Sequence, residues 1–565
     1  MAESPFASST REPSSPVREK PQSDSDQLHP NGEKSSPSTA EPSPTPTIGS
    51  DDQVTRPSPH HTRHSSTDER SELKRGEVPE DLVGPRKDDT AAYKVVFSGD
   101  DDPRNAQNWP FRKKVMQTAL ITMATMWSGM ASAVVSGAAE SLGEHFHVGS
   151  VVAELANSMF VFGFALGPLV FGPLSEVLGR KWPLTIGIFL GTIFSIQTAA
   201  AHNLATVMIG RFLGGVFGAA PYAIGGGWFH DVYHPLYVQC GIAFFAVATA
   251  GGPALGPVAG AGFASLGVSG GYAWRWGEWF IAAFGLIVAF LLLVFMDEGY
   301  GPTILGTEAK RLRRETGVWA YHAEVDLVSL TLEDICTRYI VRPIRMLFTE
   351  PILAVTTVYM SFVYSLIYIL MAALPIIYGE YRGMSVVVSS LPFISAFVGT
   401  VAGGALVMVD KYRYTAVLER KGKLEEGIPE QRFIPMGLGA VLLPVGLFWF
   451  AFTGPAQTSS PWPSIIALAV AQCGIILIYE CGIIYMIDIY RSFTNSAIAA
   501  NTLVRSFLGG GFPLFTGAMV RNLGYKGTWA MALLAFISLA MAPTPFVFYH
   551  IGAKLRAKSS FSYTL

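Results

Sequence analysis

The chain has 565 residues, half of them hydrophobic and only 15% charged, with a formal net charge of −2 at pH 7. A soluble protein carries about a quarter charged residues, so this composition excludes a water-exposed globule. Near-neutrality argues against a nucleic-acid partner, and Cys240, Cys336, Cys473 and Cys481 form no CxxC pair that would mark a metal knuckle or a disulfide framework.

Residues 1–107 are rich in Ser, Pro, Thr, Asp and Glu and almost free of aromatics. Such a segment cannot bury enough apolar surface to offset its ordering entropy, so a disordered tail is expected. It does not open with a basic stretch followed by an apolar one, so no cleavable signal peptide is expected. After Trp109 the character changes. Apolar stretches of about 20 residues, the length that crosses a bilayer, fall near 115–138, 151–174, 183–201, 204–228, 240–267, 276–296, 351–378, 386–409, 433–453, 464–487, 496–520 and 528–550. The chain therefore reads as an all-α membrane protein with twelve transmembrane helices.

Basic residues set the orientation. Arg112, Lys113 and Lys114 precede span 1, Arg180 and Lys181 follow span 2, and seven Arg or Lys residues fill the loop before span 7. The other side holds only Arg275, Arg382, Arg521 and Lys526. Both termini are expected in the cytosol. The long loop at 298–350 divides the rest into six-helix bundles at 108–297 and 351–550, with a short cytosolic tail at 551–565. Gly172–Lys181 after span 2 and Gly404–Arg413 after span 8 both run from a small residue through an acid to bases. A repeat of six-helix halves is the plan of a transporter whose site lies between them near the midplane.

Span 5 carries a further signal. Gly252, Gly256 and Gly260 recur every four residues and form one smooth helical stripe, with Pro253 and Pro257 beside it. Each proline removes a backbone donor, so this helix is expected to bend and to pack closely against a neighbour.

At these residues the chain resembles the major facilitator superfamily, and more narrowly the twelve-span drug:proton antiporters of fungi. Gly172-Pro-Leu-Ser-Glu-Val-Leu-Gly-Arg-Lys181 resembles the loop 2–3 motif, with Glu176 where Asp is usual. Arg211-Phe-Leu-Gly-Gly-Val-Phe-Gly-Ala-Ala220 is similar to the span 4 motif, and Gly252–Gly260 to the antiporter motif of span 5. Tyr485–Tyr490, Ser496–Ser506, Phe512-Pro-Leu-Phe515 and Glu308–Gly317 resemble the fungal subgroup. The resemblance implies the major facilitator fold and a proton-coupled exporter of small amphipathic molecules: drugs, fungicides or a secondary metabolite. Polyamine or organic-acid export is the alternative within transport, and a non-transporting membrane sensor the alternative outside it.

Ionisable groups inside spans are costly and mark candidate sites. Glu480 in span 10 is a candidate proton carrier; a helix-to-helix hydrogen bond is the competing reading. Arg211 in span 4 lies in the motif that the resemblance ties to proton coupling. The resemblance assigns Glu176, Arg180 and Asp231 to an inner gate, and Asp488 and Arg505 read as charges at the inner ends of spans 10 and 11. Tyr359, Phe362, Tyr364 and Tyr368 in span 7, with Tyr479 and Tyr485 in span 10, are candidate pocket walls. Glu154 lies close in sequence to Glu140, Glu144, His145 and His147, an acidic cluster able to concentrate protons, whereas two histidines with no third ligand are weak evidence for a metal. No HExxH and no P-loop occurs, so neither a metalloprotease nor an ATP-driven pump is indicated. The expected partners are a small-molecule substrate, protons and the lipid bilayer. No cofactor or metal is called for, and a monomer in the plasma membrane is expected.

Overall fold

The computed structural model describes residues 93–99, 101–234, 238–265, 272–327, 333, 337–422, 427–455, 460–557, 559 and 561. The tail expected to be disordered lies outside these residues up to position 92. Among the described residues twelve helices are long and apolar enough to cross a membrane: Phe111–Phe146, Ser150–Val177, Lys181–Ala199, Leu204–Val232, Gly241–Ala264, Ala273–Phe295, Pro351–Tyr381, Val386–Lys421, Pro429–Thr453, Trp462–Tyr490, Thr494–Asn522 and Tyr525–Arg556. They are spans 1 to 12. Nine contain the whole stretch expected from hydropathy, while Lys181–Ala199, Gly241–Ala264 and Ala273–Phe295 stop one to three residues short of it.

Local chemistry sets several of those ends. Asn203 accepts a hydrogen bond from the Thr206 amide and starts span 4. Prolines stand in the first turn of spans 7 and 10, where a missing N–H costs nothing. Gly422, at φ 64°, stops the long span 8 helix.

The spans bury two separate cores. One gathers residues between Ala106 and Met296. The other gathers residues between Met346 and Phe548, with Ala133 and Val161 leaning in from the first half. Each half thus has a core of its own. Span 7 is the most enclosed, with 89% of its apolar window buried, against 39% for span 6. Span 7 therefore lies at the centre, while span 6 turns Leu286, Ile287, Phe290 and Leu293 outward, where lipid would cover them.

The glycine stripe of span 5 packs against span 1, within the first half. A Cβ on Gly252 would lie 2.8 Å from the Gly129 Cα, one on Gly256 2.8 Å from the Met130 carbonyl oxygen, and one on Gly260 would overlap the Val134 carbonyl. Only glycine permits so close an approach. Span 5 runs as a helix from Val238 to Ala264 with both prolines inside. A neighbouring face of span 5 crosses to the second half, where Gly251 meets Phe397 and Val247 meets Gly404 of span 8. Spans 2 and 11 form the other crossing, through the Phe162 and Phe507 rings 6.0 Å apart.

An even number of crossings leaves the start of span 1 and the end of span 12 on one face. That face also carries the Arg- and Lys-rich connections, and is called the basic face below. Residues 93–107, which composition groups with the tail, pack on the connection between the halves where they are described. Lys94 bridges to His322, Val95 buries against Ala309 and Ala323, and Arg104 reaches Asp102 at 2.6 Å and Glu308 at 3.6 Å. Ala309 belongs to the amphipathic helix Gly301–Thr316, which ends at Gly317 with φ 73°.

Candidate functional site

At the basic face the two halves are latched. Arg180 stands immediately before the span 3 helix. Its Nε donates to Asp231 at the end of span 4 (2.9 Å), a terminal nitrogen donates to Ser175 (2.8 Å), and its plane lies 4.7 Å from the Tyr300 ring. The Arg180 and Lys181 amides donate to the Glu298 carboxylate at 2.9 and 3.0 Å. Gly179, at φ 84°, makes this possible, since any Cβ there would strike that carboxylate. Glu176 takes hydrogen bonds from the Tyr339 hydroxyl and from Asn495 at 2.5 Å, with Arg338 at 3.6 Å. Burial and the Glu176 carboxylate push the Tyr339 phenol up, so it remains a donor at neutral pH. Asn495 opens span 11, so Glu176 of the first half holds the second half directly.

The second half repeats the Arg180 latch with a residue that the motif reading did not select. The correspondence of Gly172–Lys181 with Gly404–Arg413 points to Arg413, but Arg413 is held to Asp410 (2.5 Å) and to the Gln431 carbonyl (2.9 Å). The matching residue is Arg432. It immediately precedes the α-helical stretch Phe433–Thr453 of span 9 as Arg180 precedes Lys181–Ala199 of span 3, donates to Asp488 of span 10 at 3.1 Å, and lies 3.7 Å from the Tyr414 ring. Position relative to the helix start, not the local motif, carries the symmetry.

Asp488 thus lies at the basic face on Arg432, whereas Arg505 does not. It lies eleven residues into span 11, about 16 Å from the helix start at 1.5 Å per residue. It is buried at 4% exposure, between the rings of Tyr364 (4.6 Å) and Tyr479 (5.3 Å). The inner-end placement is corrected to a central one: the span 11 helix begins well before its apolar core, so Arg505 falls near mid-depth. Tyr364 stacks beside Tyr368, their hydroxyls 3.2 Å apart, and Tyr368 reaches Ser132 of span 1 at 3.2 Å. Of the expected aromatics, Tyr364, Tyr368 and Tyr479 thus come together. Tyr359 and Phe362 are buried without a ring contact to this cluster among the described residues, and Tyr485 packs instead on Phe433, 4.3 Å away. Beside the cluster lies a void of about 10 Å³, lined by Thr249, Tyr364, Ile367, Ile475, Ile476 and Tyr479. Glu480 follows Tyr479, is buried at 4% exposure, and receives no hydrogen bond or ion pair among the described residues. Cys473 and Cys481 of the same span are buried free thiols; Cys336 and the Cys240 side chain lie outside the description.

Above this cluster, toward the opposite face, a cavity of about 850 Å³ opens between the halves. Glu140, Glu144, His147 and Glu154 line it from the first half, and Met371, Glu380, Pro513 and Arg521 from the second. One Glu154 oxygen is buried with no hydrogen-bond partner. Arg521 closes part of the rim on Glu380 at 2.5 Å. His145 turns away onto Tyr272, with ring centres 4.6 Å apart.

Arg211 builds a second buried centre. It donates to Glu278 Oε1 of span 6 (3.0 Å) and to the carbonyls of Ala131 (2.6 Å), Ser132 (3.0 Å) and Ala156 (3.1 Å), and both charged side chains are 1% exposed. Its plane lies 4.6 Å from the Phe160 ring. One side chain thereby ties span 4 to spans 1, 2 and 6. Glu278 was missed because it lies only two residues inside the predicted span 276–296 and reads as a boundary residue. Treating every in-span acid as a candidate would have found it.

A sequence profile of the Major Facilitator Superfamily matches residues 121–513. The citrinin biosynthesis cluster MFS transporter mrr1 of Monascus ruber is 42% identical over 475 residues, covering 83% of this chain and 92% of that protein. The efflux pump bik6 of Gibberella fujikuroi is 37% identical over 469 residues, covering 83% and 95%. Among solved structures, the proton:xylose symporter XylE bound to a bromo-deoxyglucose superposes with a TM-score of 0.58 over 78% of this chain and 97% of that one, at 14% identity, a likeness of fold. Twelve spans in two halves, a latched face, an open cavity opposite and these relatives agree: the chain belongs to the major facilitator superfamily.

Proposed function

We propose that this chain is a proton-coupled exporter of the plasma membrane, acting as a monomer with its basic face and both termini in the cytosol. Protons run inward and a small amphipathic organic molecule runs outward as the halves rock about the central cluster. The observation that carries the reading is the asymmetry of the two faces: a cavity of about 850 Å³ opens between the halves on one, while on the other Glu176 of the first half holds Asn495 of the second, with Arg180–Asp231 and Arg432–Asp488 fixing helix ends within each half beside it. That is the outward-facing arm of an alternating-access cycle, caught with its inner gate shut. The direction of export draws on likeness to a protein named as an efflux pump, and the cargo class on likeness to a protein named for a biosynthesis cluster.

Within this reading Glu480 and Arg211 couple proton movement to rocking. Glu480 is buried in span 10 with no ion pair among the described residues. Arg211 holds Glu278 together with two backbone carbonyls of span 1, so protonation of Glu278 would remove the counter-charge from this centre. The test is transport by the purified chain in proteoliposomes carrying an imposed pH gradient. Substrate should accumulate against its gradient only when protons run the other way, and Glu480→Gln should abolish accumulation while leaving a folded protein. Accumulation that ignores the gradient would overturn proton coupling, and unchanged pumping by Glu480→Gln would remove that residue from it.

A further inference from the structure

Five arginines are buried among the described residues: Arg180, Arg211, Arg432, Arg505 and Arg556. Four have a carboxylate within 3.1 Å: Asp231, Glu278, Asp488 and Glu430 respectively. Arg505 has none. No hydrogen bond reaches it among the described residues, and its Nε is fully enclosed with no partner. Removing an ion from water without a counter-charge is strongly unfavourable, and the four paired arginines show that this chain otherwise supplies one.

We infer that Arg505 is the anchor for an anionic cargo, and that this exporter takes flat organic acids of the aromatic carboxylate class. The guanidinium is a planar fork that matches a carboxylate with two parallel hydrogen bonds. Tyr364 and Tyr479 flank it at 4.6 and 5.3 Å, so an aromatic body attached to the carboxylate would be received among ring surfaces. A cationic cargo would meet the same uncompensated charge and be repelled. The adjoining void holds about 10 Å³ in this state, so cargo reaches Arg505 only when the halves part at the rings, as alternating access requires. The inference rests on the exporter reading for its physiological meaning, but the site itself is tested by binding alone.

The full-length purified chain is titrated with 1-naphthoate and with its neutral isostere 1-naphthamide, by equilibrium dialysis of the labelled compounds. The wild type should bind naphthoate at least ten-fold more tightly than naphthamide, a comparison that needs no variant to fold. Arg505→Gln should erase that preference while leaving naphthamide affinity within two-fold, and Arg505→Lys should keep part of it. Equal binding of the two probes, no naphthoate binding by the wild type, or a parallel loss of both in Arg505→Gln would overturn the assignment. Naphthoate binding that persists with no gradient-driven transport in vesicles would support the site and sink the exporter reading instead.

Discussion

Arg211 and Arg505 are the two arginines near the middle of the bundle, and their surroundings differ in one respect. Each lies 4.6 Å from an aromatic ring and is at least 96% buried. Arg211 has Glu278 and three carbonyls; Arg505 has rings alone. The first is a finished structural centre inside one half. The second sits between rings of spans 7 and 10 and has no hydrogen bond or ion pair among the described residues. A buried charge that is satisfied holds a fold together, and one that is not is poised to hold a ligand.

Removing one partner should break this comparison most sharply. Glu278→Leu leaves Arg211 buried and unpaired, and should cost about 3–5 kcal/mol, the usual penalty for an orphaned buried charge. Arg505→Leu removes a charge that is already orphaned, and should be neutral or stabilising. Thermal unfolding of the purified variants decides; equal destabilisation by both would erase the distinction drawn here. Next comes packing at the first half's own seam. Gly256→Val forces a side chain against Met130 and Ala133 of span 1, and should cost about 1–3 kcal/mol through overpacking. The same change at Gly262, where a Cβ meets open space, should cost far less, and the melting temperatures of the pair measure the difference.

Smaller effects are expected at the latches, which lie nearer water. Asp231→Asn and Asp488→Asn should each weaken the closed face by about 1 kcal/mol or less, as for partly exposed pairs, and should do so to a similar extent. The readout is labelling of a single cysteine placed in the 850 Å³ cavity, which should fall as the inward-facing state gains population. A large effect at one aspartate and none at the other would break the proposed symmetry of Arg180 and Arg432. The smallest effect concerns Asp102. Its hydrogen bonds from Arg104 and the Ser98 amide hold its carboxyl well below its ordinary 3.8. A lowered folded-state value stabilises above the ordinary pKa and is lost as pH falls through the folded one. Exchange protection of the Ser98 and Arg104 amides should therefore stay flat from pH 7 to about 4 and drop only in stronger acid, whereas Asp102→Asn should lack the protection throughout.

Much of this protein was legible one residue at a time. Span number, the glycine stripe and the gate acids follow from local patterns, because a helix in lipid must be about 20 apolar residues long whatever surrounds it. The partners were not legible. Glu278 lies 67 residues from Arg211, Asp488 56 from Arg432, and Asp231 51 from Arg180. Arg413 looked like the counterpart of the span 2–3 bases because its motif sits at the matching place in the chain, and the real counterpart, Arg432 at the helix start, lies nineteen residues on.

The sequence by itself determined the class of molecule: twelve apolar helices, two halves, a basic face, and a set of charges too costly to be idle inside a membrane. Tertiary structure alone decided which of those charges are neutralised. Hydropathy and helix length are properties of consecutive residues, whereas the field at a buried guanidinium depends on what distant segments bring within about 4 Å, and at Arg505 the described residues bring aromatic rings and no carboxylate.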